Sequence, residues 1–99
     1  MKPTSQPLIA QIVTTALQIN AQGQWHAFVR YCGHVDILET YLKPADTNYQ
    51  AQPEEDFPAY ETNLAEWKHQ TAQEEERDLT EHLNWLRDFL TASPEEAAA

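Results

Sequence analysis

The sequence predicts an α+β domain in the order helix, strand, strand, strand, helix, with a three-stranded antiparallel sheet and two helices packed on one face of it. Three observations predict this. Residues 7–20 and 72–91 repeat their apolar positions at helical spacing. Between them, QWHAFVRYCGHVDILETYLK (24–43) is rich in aromatic and β-branched residues around a central glycine, which is the pattern of a hairpin. Thr71 followed by Glu74 forms a capping box that starts the last helix.

The first helix places Leu8, Ile9, Ile12, Val13, Ala16, Leu17 and Ile19 on one half of its wheel, and Gln11, Thr14, Thr15 and Gln18 on the other. Pro7 suits its first turn, Ser5 or Gln6 is its expected cap, and Gly23 its stop. In the hairpin, a two-residue type II′ turn at Gly33 and His34 pairs Tyr31 with Asp36, Val29 with Leu38, Ala27 with Thr40 and Trp25 with Leu42. One face then carries Trp25, Ala27, Val29, Tyr31, Leu38 and Leu42. The other carries His26, Phe28, Arg30, Cys32, Val35, Ile37, Glu39 and Tyr41. Residues 44–58 hold three prolines and read as a loop. Tyr60, Leu64 and Trp67 fit a helix face, but the capping box at Thr71 favours a third strand at 59–65 and a last helix at 72–91. Leu79, Leu83, Leu86 and Leu90 line that helix's buried seam, flanked by His82, Trp85 and Phe89.

The 99 residues, 41% of them apolar, make one domain over 1–92, with residues 93–99 as a disordered tail. Cys32 is the one cysteine, so no internal disulfide forms and a cytoplasmic location is expected. The first residues carry neither a signal peptide nor a membrane span.

Residue types that carry chemistry are present, but not in working spacings. His26 and Cys32 lie about 20 Å apart along a strand and cannot share one ion. Glu66 and His69 match half of a di-iron motif whose second half is missing. Cys32 beside Arg30 and His34 offers at most a small redox or nucleophilic site, and ordinary packing of a small apolar residue accounts for it. Trp25, Trp67 and Trp85 read as core or sheet-edge residues rather than platforms for bases. No catalytic residue, metal or cofactor is expected.

Charge is the remaining signal. The net charge is -10. In residues 1–53 three cations balance three acids; in residues 54–99 thirteen acids face Lys68, Arg77 and Arg87. Such a surface repels nucleic acid and membranes and attracts basic proteins. The candidate partner surface is Glu54, Glu55, Asp56, Glu61, Glu66, Glu74, Glu75, Glu76, Asp78 and Glu81, with Asp88 beyond it. A helix start accounts for Glu74, Glu75 and Glu76, but not for the acids that precede them. A second candidate contact, to a partner or to a second copy in a homodimer, is the sheet face of Phe28, Arg30, Ile37 and Tyr41.

Residues 19–50, through QWHAFVRY, GHVD and PADTNY, resemble a group of small uncharacterised proteins of bacterial prophages and integrative elements. The resemblance implies a mobile-element origin and no chemistry. In size and acidity the chain is also similar in style to phage-encoded inhibitors of host defence, anti-CRISPR proteins among them. The expected function is a non-enzymatic inhibitor that occupies a basic, nucleic-acid-handling surface of a protein. The alternatives are an immunity protein or antitoxin against a basic toxin, and a homodimeric structural domain whose acid only solubilises. Changing Glu74, Glu75 and Glu76 to Gln is then expected to weaken binding and spare the fold.

Overall fold

A computed structural model describes residues 1–46 and 57–94. After a 3-10 turn at Pro3–Ser5 come helix α1 (Gln6–Gln22), strands β1 (Trp25–Cys32), β2 (Ile37–Pro44) and β3 (Ala59–Asn63), and helix α2 (Ala72–Arg87), which ends in a 3-10 turn at Asp88–Leu90. The sheet is an antiparallel meander in the order β1-β2-β3. The α+β architecture and the order of elements are those the sequence predicts.

Each element ends for a local reason. Gly23 closes α1 with a left-handed φ of 83°, and its N–H reaches the Asn20 carbonyl at 3.2 Å. Thr71 caps α2 by accepting from the Glu74 N–H at 3.2 Å, and Glu74 Oε2 accepts from the Gln70 N–H at 3.0 Å. Ser5 makes no cap for α1; its hydroxyl goes elsewhere, as described below.

The hairpin register differs from the expected one by two residues. Tyr31 faces Leu38, Val29 faces Thr40, Ala27 faces Leu42 and Trp25 faces Pro44. The turn therefore spans four residues, 33–36, and its left-handed position is Asp36 (φ 56°) rather than Gly33. Aspartate tolerates that region better than most side chains. Here its carboxylate also accepts from the Tyr31 hydroxyl and from the Met1 amino group at 2.6 Å, and that amino group reaches the Leu64 carbonyl at 2.7 Å. A shift of two keeps every side chain on its expected face, because strands alternate with period two.

Both helices lie on one side of the sheet. Ile12, Ala16 and Ile19 of α1 and Leu79, Leu83 and Leu86 of α2 are buried together with Trp25, Leu38, Leu42 and Leu64. α1 packs over β1 and α2 beside β3. Leu90, expected in the α2 seam, is half-buried against this core. The buried face of α1 is rotated from the expected half-wheel: Thr15 is buried, while Val13 is exposed and Leu17 is 65% exposed. Thr15 is admitted because its hydroxyl is satisfied locally, donating to the Gln11 carbonyl at 2.7 Å.

A buried histidine bridges the layers. His82 holds Thr62 Oγ1 at 2.8 Å through Nδ1 and Thr40 Oγ1 at 2.8 Å through Nε2, so one residue of α2 ties β2 to β3. A neutral imidazole does this completely, one ring nitrogen donating and the other accepting. Burial lowers its pKa to about 4.

Candidate functional site

The edges of the sheet position the site. In an antiparallel ladder, alternate residues turn their N–H and C=O toward the neighbouring strand. The Leu42 N–H donates to the Pro58 carbonyl at 3.0 Å, and the Leu64 N–H donates to the Asp36 carbonyl at 2.7 Å. Tyr60 and Thr62 therefore face β2, and the backbone groups of Ala59, Glu61 and Asn63 point to the outer edge. No strand lies beyond β3 among the described residues. The opposite edge is treated differently. At Ala27 of β1, the Asn20 side chain acts as a strand partner, accepting from the N–H at 2.9 Å and donating to the C=O at 3.1 Å.

A cleft of about 270 Å³ runs along the outer edge of β3. Tyr60, Glu61, Thr62 and Asn63 of the β3 strand line it on one side and Asp78 and Glu81 of α2 on the other, and Lys68 lines it as well. Spacing on α2 explains the second side. Glu74, Asp78, Glu81 and Asp88 recur at intervals of three, four and seven residues and share one flank of the helix. Trp85 on the same flank packs on Tyr60 of β3 with ring centroids 5.3 Å apart, which fixes that flank toward β3.

The expected acidic surface is thus divided. Glu61, Asp78 and Glu81 converge on the cleft. Glu74 serves the helix cap. Glu66 is exposed beside Trp67, in a separate hollow of about 570 Å³ shared with Val35, Ile37 and Ala65. Glu76 shares the other flank of α2 with Arg87, whose guanidinium reaches Gln11 of α1 at 3.5 Å. Glu54, Glu55 and Asp56 lie outside the described residues.

Glu75 has to be removed from the surface altogether. It is 1% exposed. Its Oε2 accepts from the Ser5 hydroxyl and from the Lys2 N–H at 2.8 Å, so it ties the start of the chain to α2. On its other side stands buried His69, whose Nδ1 is 3.9 Å from Glu75 Oε1 and has no hydrogen-bond partner among the described residues. His69 Nε2 meets Asp78 Oδ2 at 2.5 Å. Asp78 is therefore partly committed to an internal contact, which leaves Glu61 and Glu81 as the exposed acids lining the cleft among the described residues. The sequence carried a sign of this arrangement: Glu75, Leu79, His82, Leu83 and Leu86 continue one helical seam.

The other expected contact, Phe28, Arg30, Ile37 and Tyr41, does share one sheet face, the one away from both helices. Phe28 and Tyr41 stack across the strands at 4.8 Å and 9°, Ile37 faces Cys32, and Arg30 faces Glu39. Trp25 is buried and donates from its indole N–H to the Ala92 carbonyl at 2.9 Å, and Trp85 is half-buried between Tyr60 and Phe89. Trp67, expected in the core or at a sheet edge, stands in a turn at 78% exposure. Of the tail expected at 93–99, Ser93 and Pro94 line a hollow with Gly23 and Ala45, and residues 95–99 lie outside the described residues.

Compared with protein-family models, with curated proteins and with solved structures, the chain matches none of them. No helix among the described residues is long and apolar enough to cross a membrane. No group of three or more His, Cys, Asp or Glu among them is placed to hold a metal ion.

Proposed function

We propose that this is a small non-enzymatic docking protein that occupies a basic surface on a protein partner, of the kind that otherwise handles nucleic acid, and blocks it. The convergence of Glu61, Asp78 and Glu81 on one cleft, with Lys68 as the one cation lining it among the described residues, supports this reading. Thirteen acids against three bases give the second half of the chain a large negative net charge, which speeds encounter with a basic partner. A mobile-element origin, the expectation drawn from residues 19–50, is part of the same proposal.

Affinity capture with the whole protein tests it, comparing the native chain with the double variant Glu61→Gln/Glu81→Gln at low and high salt. The expected result is a basic protein that the native chain retains at low salt, that high salt releases, and that the variant retains poorly. Added nucleic acid should displace it. A retained protein indifferent to salt, to the variant and to nucleic acid overturns the reading.

A further inference from the structure

We infer that the partner segment is an extended basic stretch of polypeptide that adds to the sheet as a fourth strand along the outer edge of β3. The inference deepens the basic-partner reading and rests on it. The outer N–H and C=O groups of Ala59, Glu61 and Asn63 have no strand neighbour among the described residues, and the cleft runs along those same positions. An edge of this kind is a template for strand addition, in which backbone hydrogen bonds supply the docking and alternate side chains supply the choice of partner.

Charge selects the occupant. Side chains of an added strand alternate between two faces. On the helix side they meet Asp78 and Glu81; on the other side they meet Glu61, with Glu39 next to it across β2. Lysine or arginine therefore finds a carboxylate on either face. A second copy of this chain is disfavoured, because it sets one acidic cleft against another. Antiparallel pairing of two β3 edges centred on Glu61 sets Glu61 against Glu61, and like charges directly opposite repel. Nucleic acid has no place in a cleft with three acids and one lysine.

The probe is an end-blocked seven-residue peptide of alternating lysine and threonine, made also with N-methyl groups on all its lysines or on all its threonines. In an added strand only one of these sets turns its amides toward β3. The unmethylated peptide is expected to bind, one methylated form to lose binding, and the other to keep it. Amide hydrogen exchange gives a second reading: Glu61 and Asn63 should exchange quickly in the free protein and slow on peptide addition, while Tyr60 and Thr62 stay slow throughout. All the lysines of this peptide share one face and so meet either Glu61 or the pair Asp78 and Glu81, and Glu61→Gln/Glu81→Gln should weaken the peptide about threefold, the loss of one partly exposed ion pair. If both methylated forms bind like the parent and the double variant still weakens them, strand addition is overturned and the acidic attraction stands. If the double variant binds the peptide as well as the native chain does, the basic-partner reading falls. A parent peptide that does not bind overturns the inference outright.

Discussion

Three consecutive glutamates, Glu74, Glu75 and Glu76, meet three different fates, and residue-scale experiments can tell them apart. Glu75 is the buried acceptor for the Ser5 hydroxyl and the Lys2 N–H. Glu75→Ala strands both donors and should cost about 2–3 kcal/mol in urea unfolding, whereas Glu81→Gln, at an exposed site, should change stability by less than about 0.5 kcal/mol. His82 sets a pH dependence. In the fold it stays neutral down to about pH 4, while in the unfolded chain it takes its proton near 6.5. Between those values the unfolded state binds more protons, so stability is complete above 6.5 and is lost as pH falls through 4. The loss amounts to roughly 3 kcal/mol. Urea midpoints at several pH values should show this slope, and His82→Gln should flatten it relative to the native chain. In the sequence the triplet is uniform, so a helix start with three favourable charges is all that composition yields. Only the seam through Leu79 and Leu83 marks Glu75 as inward, and a glutamate in an apolar seam is normally read as a surface residue.

At the scale of elements, the existence and faces of the strands were legible, and the register was not. β-branched and aromatic spacing fixes which residues point the same way. The number of residues in the turn depends on Asp36 taking a left-handed φ of 56°, which its contacts with Met1 and Tyr31 support from afar. The two glycines should consequently respond differently to alanine. Gly23→Ala puts a side chain on a φ of 83° and should cost about 1 kcal/mol in thermal or urea unfolding, although nothing crowds it. Gly33→Ala places its Cβ 3.7 Å from the Tyr31 ring, an ordinary contact, and should be close to neutral. Asn20 was equally hidden, because its work is done across seven residues on the edge of another element. Asn20→Ala frees both backbone groups of Ala27 to water and should cost about 1 kcal/mol.

Across the whole molecule, the two edges of one sheet are finished in opposite ways. The β1 edge is met at Ala27 by an amide from α1, a helix whose exposed residues include Val13 and Leu17. The β3 edge is left to a cleft of carboxylates beside α2. The sequence disclosed the bias of charge toward the second half. It did not disclose that Glu61, from a strand, and Glu81, from a helix twenty residues on, would line one cleft, since that follows from the sheet order and the Trp85–Tyr60 contact. The arrangement separates acids kept for binding from acids kept for folding. Glu61 faces Glu39 directly across the strands, and such a pair destabilises a sheet by a few tenths of a kcal/mol up to about 1. Arg30 faces Glu39 from the far side of β2, but lies two strands from Glu61. Glu61→Gln should therefore raise the urea midpoint, by about 0.3–0.5 kcal/mol in unfolding free energy at low salt. The gain should shrink as salt screens the repulsion. An acid present for the fold would show the reverse, with neutralisation lowering stability. A gain in stability together with a loss of affinity for the lysine–threonine peptide, read on the same variant, would mark Glu61 as a residue held in a costly place for the sake of its partner.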